Sequence, residues 1–269
     1  MTTTLLTGAT GRLGEVLLPR LREAGHDVRP ASRSPPTDDE GWCELDLAAG
    51  IGVRRAVEDA EVVVHAASAP TGDTEAVDVR GTERLLEAAA EADVQHVLYV
   101  SIVGIDDIPF SYYERKLAAE RAVEERPVPS SILRATQFHQ FVRDLLDGVA
   151  RLPVWPLPTT FRIQPVDAVE VAAAVVEHAT SDPAGRLPAV GGPEVQTVGD
   201  LARAYRDARG LRRPVVRLPL PGGTASAFRD GEATRPDRAV GSVTWGEYLD
   251  REFGVMASEG EAGNPGATG

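Results

Sequence analysis

The chain has 269 residues, 42% hydrophobic and 26% charged, enough for one large core or two unequal ones. Its 41 acidic residues against 28 basic ones give a net charge of −13, which argues against a nucleic-acid partner, because gripping phosphates needs a concentrated basic face. No run approaches the roughly 18 apolar residues of a membrane span, the Met-Thr-Thr-Thr start lacks a basic region ahead of its apolar stretch, and a single cysteine, Cys43, excludes an intrachain disulfide or a cysteine-built metal cage. A globular, cytoplasmic protein with neither membrane nor nucleic-acid partner is expected.

From the N-terminus, Thr3 to Thr7 is a β-branched and apolar run that stops at Gly8, and Arg12 to Glu23 carries Leu13, Val16, Leu17 and Leu21 at helical spacing. Asp27 to Ser32 and Trp42 to Leu47 predict short strands, and Glu61 to Ala66 predicts a clearer one. Thr82 to Ala92 reads as helix, Gln95 to Val103 as a continuous apolar strand, Tyr112 to Glu125 as helix and Ser130 to Leu133 as strand. Strands apolar on both faces, alternating with helices, predict an α/β fold with a doubly wound parallel sheet of the Rossmann type.

After about residue 140 the regularity weakens. Pro153, Pro156 and Pro158 crowd together, Val166 to His178 and Thr197 to Arg209 predict helices, and Arg213 to Pro221 predicts an extended segment. The expected organisation is a dinucleotide-binding domain over 1–138, a smaller C-terminal substrate lobe over 139–257 that shares elements with the sheet, and a disordered tail over 258–269, which has no large apolar group to bury.

Thr7-Gly8-Ala9-Thr10-Gly11-Arg12-Leu13-Gly14 sets glycines at i, i+3 and i+6 between the first strand and the first helix. Alone the spacing is weak, but this context suits a phosphate loop. Backbone N–H groups and the helix dipole there meet a pyrophosphate, Gly8 allowing the turn, Gly11 the approach of the phosphates and Gly14 close packing of helix on strand. Nineteen residues after Gly14 the second strand ends in Ser32-Arg33-Ser34. An acidic residue here would accept the ribose hydroxyls of NAD, whereas a guanidinium suits the 2′-phosphate of NADP. NADP is therefore the expected cofactor, with NAD the alternative if Arg33 is a solvated loop side chain.

These and further segments resemble the atypical short-chain dehydrogenase/reductases, specifically the NmrA-like NAD(P)-binding group, from residue 3 to about 254. Asp46-Leu47 is similar to the pair whose carboxylate faces the adenine amino group. His65-Ala66-Ala67-Ser68 sits where relatives have their fourth-strand cofactor contact, and Asp78-Val79-Arg80-Gly81-Thr82 looks like the start of the helix that follows. Tyr99 to Gly104 resembles the strand that bears the active-site serine, here Ser101. Tyr112 to Lys116, Leu133 to His139, Pro165 to Asp167 and Thr244 to Leu249 complete the likeness. It implies cofactor contacts at Gly8, Thr10, Gly11, Arg12, Leu13, Gly14, Ser32, Arg33, Asp46, Leu47, Ala66, Ala67, Ser68 and Lys116, and catalysis by Ser101, Tyr112 and Lys116.

Tyr112 and Lys116, four apart, share a helix face. A lysine cation beside the phenol is expected to pull its pKa toward neutrality, so that it exchanges a proton with a carbonyl or alcohol, while Ser101 holds the reacting oxygen and Lys116 grips the nicotinamide ribose. Lys116 is the one lysine among 28 basic residues, so 27 are arginine, and an indifferent site in such a chain would carry arginine. Among the rest, His139 reads as a pocket-lining or half-buried residue, His26 and His96 as surface, and Trp155 as a pocket wall or apolar anchor. No metal-ligand spacing is present.

The activity this predicts is NAD(P)H-dependent hydride transfer to or from a small carbonyl, alcohol or quinone-like substrate. A non-catalytic redox sensor of the NmrA-like type, with a protein partner, is the alternative, and a nucleotide-sugar epimerase a third reading that no second-lobe signature supports.

Overall fold

The computed structural model describes residues 1–36 and 41–261, with side chains as far as residue 254. The chain forms two compact units, Met1–Thr136 with Ala168–Val190, and Gln137–Asp167 with the chain from Gly191 on.

The first unit is a seven-stranded parallel sheet. In chain order it contains β1 (Thr2–Thr7), α1 (Arg12–Glu23), β2 (His26–Ser32), β3 (Cys43–Glu44), α2 (Val53–Val57), β4 (Val62–His65), a π-helical turn (Glu75–Arg80) running into α3 (Gly81–Glu91), β5 (His96–Ile102), α4 (Ser111–Glu125) and β6 (Ser130–Ala135). The remaining elements are numbered in chain order through both units: α5 (His139–Ala150), β7 (Trp155–Leu157) and β8 (Arg162–Ile163) come next and belong to the second unit. The chain then returns to the first unit for α6 (Ala168–Ala179) and β9 (Gly185–Arg186). The strand order is β3-β2-β1-β4-β5-β6-β9, and every pairing in the sheet is parallel. Helices cover both faces, as the doubly apolar strands predict. On one side α2, α3 and α4 bury Leu85, Leu86, Ala119 and Val123 against Leu5, Val63, Val97 and Tyr99; on the other, α1 packs beside α6, with Leu13, Leu17 and Leu21 buried at i, i+4 and i+8.

Three histidines cross-link this unit from inside. His65 Nδ1 lies 2.7 Å from Thr7 Oγ1 and its Nε2 2.9 Å from Thr82 Oγ1, tying β4 to β1 and α3. The surface reading of His26 and His96 is corrected. Each opens a strand and is buried, His26 bonded to Thr4 at 2.7 Å and His96 to Ser131 at 2.9 Å. Their partners lie 22 and 35 residues away in the chain, out of reach of any local reading.

The second unit completes the chain with β10 (Gln196–Thr197), α7 (Val198–Ala208), β11 (Val215–Arg217), α8 (Gly223–Asp230) and α9 (Trp245–Glu261). Its β8 and β10 pair antiparallel, and β7 and β11 pair parallel. Trp155 is fully buried against Tyr205, an apolar anchor, and His139 is buried with its ring 5.0 Å from Tyr248 and 5.7 Å from Trp245. The helix α9 continues through residues 258–261 of the expected tail, and residues 262–269 lie outside the described residues.

Burial, with the Lys116 charge adding to it, lowers the His65 pKa from 6.5 to about 3. The unfolded chain therefore takes up this proton first, and stability falls as pH drops below about 6.5, at about 1.4 kcal/mol per pH unit for one such group. Denaturant unfolding at pH 7 and pH 5 should show a loss of about 2 kcal/mol from this residue; His65→Gln should remove that share and leave the smaller shares of His26 and His96, whose pKa values burial also lowers.

Candidate functional site

Between β1 and β4 the strand order reverses, so the connections on either side leave in opposite directions and open a crevice at the carboxyl ends of the strands. A cleft of about 310 Å³ lies there. Of the residues singled out from sequence, Gly8, Thr10, Gly11, Ser32, Arg33, Asp46, Leu47, Ala66, Ala67 and Ser68 line it. Thr7, Ala31 and Leu45 at or just past strand ends, Ala69 in the segment after β4 and Val77 in the π-helical turn line it too, small or apolar residues with little in the sequence to mark them. Arg12, Leu13, Gly14 and Lys116 are not in its wall.

The loop has the form a phosphate needs. Gly8 has φ +68, and a Cβ there would lie 2.7 Å from the Ala67 backbone. At Gly14 a Cβ would sit 2.1 Å from the Gly8 carbonyl oxygen, so only hydrogen fits where α1 crosses β1. Gly11 caps α1 with no side-chain hydrogen bond, which leaves the first-turn amides open to an anion. Leu13 is buried in the core and serves packing. Arg33 is exposed at the end of β2, and no hydrogen bond or ion pair holds its guanidinium among the described residues. Asp46 accepts from Ala49 N at 3.0 Å, which fixes its carboxylate at the wall.

At the edge of the cleft a buried carboxylate gathers the polar groups. Asp78, 1% exposed in the π-helical turn, accepts from Ser68 Oγ at 2.6 Å and Ala69 N at 2.9 Å, and Lys116 Nζ lies 3.7 Å away. Ser68 Oγ is also 2.9 Å from the Tyr112 hydroxyl. Lys116, 2% exposed, donates to Val100 O at 3.1 Å and stands 4.3 Å above the Tyr99 ring. Burial lowers its pKa, opposed by Asp78 and Glu120. Ser101, on the same face of β5 as Tyr99, is buried with no hydrogen-bond partner for its hydroxyl.

The expected lysine-activated phenol is not what forms. Tyr112 and Lys116 share a helix face, but the ammonium is committed to Asp78 and Val100. Burial pushes the Tyr112 pKa up, and the Asp78 charge adds to it. The sequence shows the spacing but not the third group between the pair. Neither Tyr112 nor Lys116 bonds to Ser101.

The family pattern for NAD(P)H-binding proteins matches residues 8–182. The chain belongs to this family. Its match spans the phosphate loop from Gly8, all of the cleft wall but Thr7, and α4, and it agrees with the resemblance to the atypical short-chain dehydrogenase/reductases, NmrA-like group. A (4-alkanoyl-5-oxo-2,5-dihydrofuran-3-yl)methyl phosphate reductase of Streptomyces griseus is 30% identical over 216 residues, covering 78% of this chain and 74% of that protein. Cinnamoyl-CoA reductase 1 of Petunia hybrida is 32% identical over 115 residues, 37% of this chain and 34% of its own. Among solved structures, an NADPH-dependent quinone oxidoreductase of Escherichia coli complexed with NADPH superposes with TM-score 0.76 at 16% identity, covering 93% and 99% of the two chains. A short-chain dehydrogenase/reductase superfamily protein of Agrobacterium tumefaciens with bound NAD gives 0.71 at 18% identity over 97% and 98%. The family is one of NAD(P)H-binding reductases, and these structural likenesses establish the fold. No helix among the described residues is long and apolar enough to cross a membrane, and none of their His, Cys, Asp and Glu side chains form a group of three able to hold a metal.

The Gly14 contact gives a direct test of the loop. Gly14→Ala forces its Cβ against the Gly8 carbonyl, so stability should fall by about 1–3 kcal/mol, the range for overpacking. The variant, where still folded, should also bind dinucleotide less tightly. Gly148→Ala, exposed within α5 where a Cβ meets nothing within 4 Å, should leave stability unchanged or raise it by up to about 1 kcal/mol in thermal denaturation.

Proposed function

We propose that this protein is an NADP(H)-dependent oxidoreductase acting on a small carbonyl, alcohol or quinone-like compound, with Tyr112 exchanging the proton. One observation carries the reading: Ser68 is part of the cleft wall and hydrogen-bonds the Tyr112 hydroxyl at 2.9 Å, so a phenol borders the groove where the dinucleotide fits. Bound there, the cofactor supplies or takes up hydride at the substrate carbon. The amides of α1 and the loop would hold the pyrophosphate, Asp46 the adenine, and Arg33 with Ser32 the 2′-phosphate. Ser101, whose buried hydroxyl has no protein partner, would hold the reacting oxygen, and Lys116 the nicotinamide ribose. The names of the two curated relatives, both reductases of oxygenated organic compounds, support the reductive direction.

A regulatory, non-catalytic role is favoured by one observation, that Ser101, Tyr112 and Lys116 are not joined to one another by hydrogen bonds. Loss of NADPH absorbance against quinones, aldehydes and ketones separates the two. Turnover that Tyr112→Phe abolishes, with cofactor affinity kept, supports the enzyme; tight binding with no turnover across the panel supports the sensor.

Calorimetry should show NADP binding at least about tenfold more tightly than NAD, since a charge-assisted hydrogen bond contributes about 1.5–3 kcal/mol. Arg33→Asp should narrow or reverse the gap, and equal affinities in the native protein would remove the preference. Lys116→Arg keeps the charge but places a wide planar fork in a space built for an ammonium under Val100 and over Tyr99. Cofactor affinity or turnover should drop, and native values for both would end the functional assignment of α4.

A further inference from the structure

We propose that Asp78, acting through Ser68, is a positioning residue that fixes Tyr112 as a hydrogen-bond donor to Ser68 and so holds its phenol in the neutral form until substrate takes its proton. The inference rests on the reading of Tyr112 as the proton-exchanging group and adds what orients that group.

Ser68 has one hydroxyl hydrogen, and it is spent on Asp78 Oδ1 at 2.6 Å. The contact between Ser68 Oγ and the Tyr112 oxygen, at 2.9 Å, then needs its hydrogen from the phenol. Tyr112 donates, Ser68 accepts and passes on its own hydrogen, and Asp78 terminates the chain. Ionising Tyr112 would leave two anions, phenolate and carboxylate, competing for the single Ser68 hydrogen, so one of them loses a hydrogen bond.

Asp78 itself is held in place on three sides. Ala69 N donates to its second oxygen, Lys116 lies beside the first, and the π-helical turn that carries it packs against α4. A π-helical turn shifts the register of the chain entering α3, a device found often at functional sites. The other charged or titratable groups around Tyr112 are Tyr99 from β5, Tyr113 and Lys116 on α4, and the Arg115–Glu75 pair, 3.2 Å apart, which links α4 to the π-helical turn. Among the described residues none of these groups donates a hydrogen bond to the phenol oxygen.

In reduction the balance is simple. With NAD(P)H bound and supplying hydride to the carbonyl carbon, the Tyr112 hydroxyl would turn from Ser68, its O–H bond would break and its proton would pass to the carbonyl oxygen. The phenolate left behind recovers a proton from solvent water at the cleft edge, where Ser68 is exposed. Oxidation would start from the same phenolate, so the Asp78–Ser68 pair sets the energy of that state and not the direction of the reaction.

The test reads the phenol in the full-length protein without cofactor, so it does not depend on turnover. Difference spectra against Tyr112→Phe isolate Tyr112: its ultraviolet absorbance against pH gives its ionisation, and its Raman doublet reports whether it donates. The native protein is expected to show a donating phenol that ionises above the ordinary tyrosine range. Asp78→Asn should move that ionisation down by about one pH unit or more, a tenfold change in proton affinity, and Ser68→Ala should erase the donor signature. A native Tyr112 that only accepts, or an ionisation untouched by Asp78→Asn in folded protein, overturns the proposal. If Asp78→Asn fails to fold, because its amide would meet the Ala69 N–H, Ser68→Ala decides alone, and a donor signature kept in that variant is the contrary result. Absence of turnover with the native phenol signature intact would instead count against the reductase reading.

Discussion

At Gly14 the protein has room for a hydrogen atom and nothing larger. The Gly8 carbonyl stands where a Cβ would go, and Gly8 in turn lies against the backbone of Ala67. Two close approaches therefore set the depth at which α1 enters β1 and the distance from β1 to the segment after β4. Gly8 and Ala67, which meet in the second of these contacts, both line the cleft. Because α1 starts without a side-chain cap, the same contacts present its free amides to the cleft. Packing and anion binding are one requirement here, which is why these glycines serve the fold and the site together.

A second constraint is electrostatic. The buried face of α4 holds Lys116 and Glu120 among Tyr113, Ala119 and Val123, and buried charges are costly unless paired. Each is paired by a different neighbour. Glu120 receives Arg134 from β6 at 2.8 and 2.5 Å, and Arg134 also pairs with Asp106. Lys116 faces Asp78 and Val100 O. The helix that carries the catalytic candidates is thus fixed at both ends of its buried face, with Tyr112 at the rim where it meets Ser68.

Much of this was legible in the sequence because it is written in local spacing. Glycines at 8, 11 and 14 after an apolar run, and leucines at 13, 17 and 21, define β1, the loop and α1 without reference to anything distant. The parallel sheet followed from strands apolar on both faces. Less local features did not show. Short α2 and α8 carry too few turns for a clear period, and His26 and His96 gave no sign of burial because their partners, Thr4 and Ser131, are 22 and 35 residues away. The Tyr112–Lys116 spacing was correct as geometry and misleading as chemistry, since Asp78, 38 residues upstream of Lys116, takes the ammonium. An aspartate in Asp-Val-Arg-Gly-Thr reads as a helix start; only the folded chain shows it beneath Ser68 and Tyr112.

Dinucleotide binding in the cleft is the claim on which the chemistry, the cofactor preference and the role of Asp78 all depend. Titrating NADPH into the native full-length chain, and following nicotinamide fluorescence, tests it most directly when paired with Gly11→Val, which fills the approach to the α1 amides. One saturable site per chain, lost or greatly weakened in a Gly11→Val protein that still unfolds cooperatively, is the predicted result. Absence of saturable binding by the native chain, or equal binding by the folded variant, would contradict the account.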